Sequence, residues 1–350
     1  MSVEPFHSPR YSEEVVPFLA GDGRALHLVH LRGQEESAKG PVVLVHGAGV
    51  RGNIFRAPVR QTVVDALIDD GYDVWLENWR ASMDVEPGEW TLDQAAVLDH
   101  PPAIRTILEE TGHDTVKAVI HCQGSTSFAM AAVAGLLPEV DVIVSNAVSL
   151  HPVVPASAKL KLRYAVPLVS QLTPYLDPQW AFGGPTRTAR ALTRVVKATH
   201  HECDNLVCRW TSFTYGTGFP VLWRHENLNA RTHDWLQHEF GPVPFSFFKQ
   251  MEACVRAGHL VPVEHFTALP EDLGEREPQT DARFVFLAGE ENRCFLAESQ
   301  RRSFEYMDRF QPGRHALHVL PGYGHLDVFM GKYAAQDVFP LLLAELDRPV

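Results

Sequence analysis

The chain has no uninterrupted run of about 18 apolar residues, so nothing in it reads as a membrane-spanning helix. It is also short of positive charge: 31 Lys and Arg stand against 43 Asp and Glu, a formal net charge of −12. That balance argues against nucleic acid as a partner, because phosphate binding needs clustered basic residues. Cysteine is scarce and scattered, five in 350 residues. An odd, dispersed set does not make a disulfide framework and suits a reducing compartment. The opening MSVEPFHSPR lacks the basic start and apolar run of a secretory signal, so a cytoplasmic location is expected. There is no G-x-G-x-x-G, no internal repeat and no low-complexity tract, and no cofactor is expected.

What is present is a soluble, globular balance, 45% hydrophobic and 21% charged. Its first half alternates two periodicities. PVVLVHG (41–47) reads as a strand, followed by a helix from about Pro58 to Gly71 and a second strand, YDVWLEN (72–78). Thr91 and Gln94 form a capping-box pair that starts a helix; Pro101 and Pro102 should bend or restart it, and Gly112 should end it. VKAVIH (116–121) and VDVIVSNAV (140–148) are strands on either side of a small-residue helix, FAMAAVAGLL (128–137). Strands this apolar, separated by helices, imply a mostly parallel, doubly wound sheet covered on both faces.

Regularity fails from about 150 to 278, a stretch rich in Pro, His and aromatics. It resumes with ARFVFLAG (282–289), a helix over 297–310, HALHVL (315–320) and a last helix after Lys332. The expected organisation is therefore an α/β core, 1–149 and 279–350, with a largely helical cap inserted at 150–278. Trp210, Phe213, Tyr215, Phe219 and Trp223 should be cap core first, and in part a hydrophobic pocket wall. The run HHECDNLVC (200–208) raises a metal question, but zinc sites favour tighter Cys-x-x-Cys or His-x-x-x-His spacing. Packing is the preferred reading there, and no metal is expected.

Three strand ends carry chemistry. In VIHCQGS (119–125) a strand runs straight into a helix, the setting of a nucleophile elbow, with Cys122 at the turn and Gly124 giving it room. The helix N-terminus should favour a thiolate, and the N–H of Gln123 is placed to bind an oxyanion. Ile120 departs from the pattern, which has a small residue two positions before the nucleophile. Ser125 is the rival nucleophile, one turn into the helix. HGAG (46–49) offers the second oxyanion N–H, that of Ala48. PGYGHLDVFMGK (321–332) presents His325 where the chain order of such sites puts the general base. The third member should follow the strand 282–289; counting from Gly289 lands on Asn292, with Glu290 and Glu291 beside it as alternatives. An asparagine can orient the imidazole of a Cys–His pair.

HGAG, NWRAS (78–82), TLDQAAVLDHPPAI (91–104), the elbow and GYGHLDVFMG together resemble the α/β-hydrolase superfamily, especially its acid-lipase branch. HCQGS with CDNLVCRW (203–210) and NLNARTHDWLQHEFG (227–241) is similar to bacterial hydrolase-like domains associated with cholesterol-oxidase-type flavoproteins, which carry cysteine at the elbow. The resemblance implies an α/β-hydrolase fold and a Cys122–His325–Asn292 centre, with Ala48 and Gln123 as the oxyanion hole. It implies hydrolysis of a hydrophobic ester or thioester. An acyltransferase or cyclase using the same acyl-cysteine is the first alternative, and a non-catalytic binding protein the second. Oligomeric state is left open.

Overall fold

A computed structural model of the chain describes residues 10–201, 203–217 and 221–349. The opening residues 1–9, on which the absence of a signal was read, and Phe219 lie outside them. Eight strands form one sheet: β1 (Tyr11–Leu19), β2 (Ala25–Gly33), β3 (Pro41–Val45), β4 (Asp73–Asn78), β5 (Val116–His121), β6 (Val140–Asn146), β7 (Arg283–Gly289) and β8 (Ala316–Leu320). Their spatial order is β1-β2-β4-β3-β5-β6-β7-β8, and the six strands from β4 to β8 run parallel. Only β1 and β2 are joined by antiparallel ladders, and β2 pairs antiparallel with β4.

The central strands are the apolar runs of the sequence. Val42 to Val45, Val142 to Val144 and Phe284 to Leu287 are fully buried, as strands covered on both faces must be. The helices of seven or more residues among the described ones are α1 (Val63–Asp69), α2 (His100–Thr111), α3 (Cys122–Val133), α4 (Arg187–Thr199), α5 (Leu206–Tyr215), α6 (Phe245–Ala257), α7 (Glu298–Phe310) and α8 (Phe339–Asp347). All twelve residues of α3 are buried; all but Gln123, whose Oε1 accepts from Thr126 Oγ1 at 2.8 Å, are small or apolar. Between β6 and β7 the described residues are largely helical; the one strand pairing among them, Tyr175–Leu176 with Val243–Pro244, is two residues long.

Thr91 and Gln94 make the expected reciprocal capping box. The prolines that follow do not break the helix. The chain takes a π-helical turn over Ala95–Asp99, where the N–H of His100 reaches the carbonyl of Ala95, and then enters α2. Pro101 and Pro102 fall in the first turn of α2, where a missing N–H removes no intrahelical bond. Gly112 closes α2 in the left-handed conformation, φ 70°.

The π turn positions Asp99 against Arg80, at the end of β4. Nε of Arg80 lies 2.8 Å from Asp99 Oδ2 and Nη2 lies 2.5 Å from Oδ1, while the Arg80 backbone N–H donates to the same carboxylate at 3.0 Å. Both side chains are out of solvent. Removing one partner of such a pair strands the other charge, which costs about 3–5 kcal/mol. Asp99→Ala should therefore lower the urea midpoint by an amount corresponding to that range. A loss below about 1 kcal/mol would mean that Asp22 and Gln94, which also touch Nη1 of Arg80, satisfy the guanidinium by themselves.

Candidate active site

Parallel strands place their carboxyl ends on one edge of the sheet, and the crevice outside that edge is where such folds put chemistry. The loops leaving β3, β5, β7 and β8 there carry His46–Gly49, Cys122, Asn292 and His325. Cys122 is the first residue of α3 and has φ 54°, one of only two non-glycine residues with positive φ among those described. The turn is possible because its neighbours have no side chain. A Cβ on Gly124 would stand 2.3 Å from the carbonyl oxygen of His46, and one on Gly47 would stand 2.8 Å from Cβ of Cys122. Ile120, the departure from pattern, is fully buried in β5.

The backbone N–H groups of Gln123 and Ala48 both point at the Cys122 sulfur. These are the two groups expected to bind an oxyanion, and they converge from separate strand ends. His325 is 1% exposed, and its donor nitrogen, the sulfur of Cys122 and a nitrogen of His121 lie within 4.8 Å of one another. His121 is tied down through Nδ1, which pairs with Asn146 Oδ1 at 2.8 Å, and its ring meets that of His325 edge to face at 4.7 Å.

Asn292 is the residue beside His325: its Nδ2 lies 3.1 Å from Nδ1 of the imidazole. Glu290 and Glu291 are exposed instead. The direction of the amide is set by its other end. Asn292 Oδ1 accepts the N–H of Cys294 at 3.0 Å and that of Phe295 at 3.1 Å. The amide nitrogen therefore donates to His325, whose Nδ1 must accept, and the ring proton of the neutral imidazole sits on Nε2. Ser125 does not compete for the nucleophile's place. It is fully buried, with Oγ 2.6 Å from Ser145 Oγ and a further bond to the Val148 carbonyl.

The expected thiolate is not what this setting supports. Burial pushes the Cys122 thiol up to about 12, outweighing the two N–H groups that favour the anion. Burial also holds the His325 imidazole well below its ordinary range, with His121 adding to the effect. The resting pair is thus neutral thiol and neutral imidazole: the helix N-terminus is present, but the water that would solvate a thiolate is excluded. Cys294, expected only near the acid turn, proves to be a second buried thiol on the same cavity, pushed well above its ordinary value.

That cavity, about 40 Å³, lies over Cys122 and is mostly apolar. Its wall is built largely by the segment between β6 and β7, including Phe247, Phe248 and Met251 of α6. Tyr215 stands in the wall, as expected, but two polar contacts made there are not readable in the sequence. Tyr215, the last residue of α5, donates its hydroxyl to the Ala48 carbonyl at 2.9 Å. Lys161 caps the end of α5 by donating to the carbonyls of Phe213, Thr214 and Gly216, while burial pulls its pKa down to about 7. Neither could be found by motif, because each depends on a helix terminus brought near from elsewhere in the chain. Trp210 is fully buried in the core, as expected, and meets the Phe213 ring edge to face.

Among the described residues two sets of His and Cys donors stand close enough to share a metal ion: His121, Cys122 and His325, and separately Cys203, Cys208, His225 and His233. No helix of the described residues is long and apolar enough to cross a membrane.

Residues 40–331 match a family model described as the alpha/beta hydrolase fold. The chain is 28% identical over 131 residues to sterol esterase 2 of Saccharomyces cerevisiae, covering 33% of this chain and 24% of that one. It is 34% identical over 106 residues to gastric triacylglycerol lipase of Rattus norvegicus, covering 26% and 27%. The chain thus matches about a quarter of the length of each of these curated relatives. Among solved structures, DcsB in complex with its substrate analogue superposes with a TM-score of 0.58 at 13% identity, covering 97% of this chain and 100% of that chain.

A thiol with a pKa near 12 has a thiolate fraction that falls tenfold with each pH unit below it. The rate of Cys122 alkylation by iodoacetamide should accordingly keep climbing from pH 7 to pH 10 without a plateau. Mass-spectrometric labelling of each cysteine checks this. A plateau reached below pH 8 would restore the ion-paired thiolate.

Proposed function

The chain belongs to the alpha/beta hydrolase fold family, matched over residues 40–331, and from that premise we propose that it is a thiol-dependent hydrolase of hydrophobic esters or thioesters. The observation that carries the reading is the convergence at Cys122: a left-handed backbone, φ 54°, and two N–H groups aimed at the sulfur, with His325 within reach. The lipase and sterol esterase names of the relatives support an ester substrate, and the apolar cavity wall supports a hydrophobic acyl group.

In this mechanism the His325 ring proton first shifts to Nδ1, and Cys122 Sγ then attacks the carbonyl carbon as its own proton passes to the freed Nε2. Concerted transfer suits a neutral pair, since no free thiolate has to accumulate. The oxygen that gains charge takes over the N–H groups of Ala48 and Gln123 from the sulfur. Collapse expels the alcohol or thiol with the proton held by His325. Water then attacks the acyl-cysteine by the same route in reverse. We assign residues 150–278 the role of a cap that shapes this cavity and excludes water, with 1–149 and 279–350 as the catalytic core.

Proton transfer to Nε2 requires the ring proton to stand on Nδ1, and Asn292 opposes that tautomer as long as its Oδ1 serves Cys294 and Phe295. An aspartate would keep one oxygen on those two N–H groups and turn the other to accept from Nδ1–H. Asn292→Asp should therefore raise turnover of a p-nitrophenyl ester several-fold at pH 7 and move the acidic limb of the pH–rate profile upward. Equal or lower turnover would mean that the amide's donor bond is itself used in the reaction. In the same assay Cys122→Ala should abolish acyl-enzyme formation, whereas Ser125→Ala should retain it. If Ser125→Ala is the inactive variant and Cys122→Ala is not, the nucleophile assignment is lost.

A further inference from the structure

We propose that Cys203, Cys208, His225 and His233 form a structural zinc site that ties the start of α5 to the turn His225–Asn227 and the helix Ala230–Trp235. The preferred reading of HHECDNLVC as packing rested on spacing, and spacing misleads here, because the donors come from three separate turns. Cys203 precedes α5 and Cys208 lies in its first turn; His225 begins the 3-10 turn His225–Asn227, and His233 lies in the short helix Ala230–Trp235.

The donor geometry is that of one shared centre. One ligand atom from each of the four side chains lies within 4.8 Å of every other. Nε2 of His233 is 3.9 Å from Sγ of Cys203, and Nε2 of His225 is 3.3 Å from Sγ of Cys208. A tetrahedron with Zn–S near 2.3 Å and Zn–N near 2.0–2.1 Å has S···N edges of about 3.5 Å, between those two distances. Plain packing needs only that each polar atom find one partner. A mutual four-way cluster of two thiols and two imidazoles, with the imidazole centroids 5.1 Å apart, is the Cys2His2 donor set of structural zinc. Cys208 is buried and the other three are half-buried, so a bound ion would be shielded from exchange on one side.

The scaffold around the donors is held independently of any ion. Asn205 Oδ1 caps α5 through the N–H groups of Val207 and Cys208, while its Nδ2 reaches the His233 carbonyl at 3.4 Å. Nε of Arg209 donates to the Cys203 carbonyl at 2.6 Å. A Zn²⁺ centre with two thiolates and two neutral imidazoles carries no net charge.

The site also stands between the two halves of the catalytic apparatus. Two residues after His225, Asn227 Nδ2 donates to the Gly322 carbonyl at 2.8 Å and to Asp327 Oδ2 at 2.5 Å. The Asp327 carboxylate accepts the N–H of Gly324, next to His325. At the far end of α5, Tyr215 holds the Ala48 carbonyl. One ion would therefore fix the helix that touches the oxyanion loop and the turn that supports the base.

The test is metal analysis of the full chain purified without chelator, followed by chelator extraction and titration with Co²⁺. The expected result is one zinc per chain, and on Co²⁺ addition the visible bands of a tetrahedral site with thiolate charge transfer in the near ultraviolet. Cys122→Ala should keep the metal, which separates this site from the His121–Cys122–His325 trio. Cys203→Ser with Cys208→Ser should lose it. If that double variant does not fold, the extracted wild type answers instead: Zn²⁺ should protect Cys203 and Cys208 from alkylation and slow amide exchange in 222–227 and 321–327. Less than a tenth of an equivalent bound after zinc incubation, alkylation of both cysteines at rates indifferent to zinc, or a Cys203–Cys208 disulfide would overturn the site. None of these readouts depends on ester hydrolysis.

Discussion

The left-handed backbone of Cys122 is the constraint on which the site's other contacts depend. A residue with a Cβ held at φ 54° is strained by about 1–2 kcal/mol, and it stays there only because its surroundings leave no alternative. On one side β5 is locked between β3 and β6; on the other, α3 is buried along its whole length. Gly47 and Gly124 remove the Cβ atoms that would collide with the turn. What the strain achieves is exposure of the thiol to two N–H groups and one imidazole while the backbone stays in the core.

The same burial that makes the turn rigid makes the thiol a poor acid. Thiol chemistry in proteins is often driven by a preformed ion pair, which needs an environment that favours charge. Here the two N–H groups pull the thiol toward the anion and desolvation pulls harder against it. The Asn292 amide acts in the same direction: by donating to Nδ1 it disfavours an imidazolium. In the proposed mechanism charge is therefore deferred until a carbonyl oxygen is present to take it.

The sequence was most legible where physics is local. The apolar runs that became β3 to β8, the Thr91–Gln94 box and the Gly112 stop all follow from periodicity or from one residue's dihedral preference. Strands β1 and β2 were not recognised. β1 is an edge strand containing Pro17; its Val15 and Leu19 face outward, 64% and 66% exposed, beside the inward Val16 and Phe18, so apolar residues on both sides blur the alternation. Position was also legible in the site: Cys122, His325 and Asn292 meet, and the count from Gly289 lands on the residue next to the imidazole. Protonation state and amide direction were not, because they depend on burial and on the backbone N–H groups of Cys294 and Phe295. The four-donor cluster of the 200–233 stretch was hidden for a related reason: its members are adjacent only after three turns have formed.

Tyr215 joins α5 to a residue with two duties, Ala48. Its hydroxyl holds the carbonyl of Ala48, while the N–H of the same residue points at Cys122. Any motion that lifts α5 far enough to widen the cavity must break that bond and loosen the oxyanion loop in the same movement. If Ala48 serves the proposed oxyanion hole, access and competence would be mechanically opposed: an opened form would admit a bulkier substrate but hold a slack oxyanion loop, and the closed form would hold the loop taut but admit little. An enzyme built this way would bind and react in separate conformations, and reclosure over the substrate would stand between them as a step of its own.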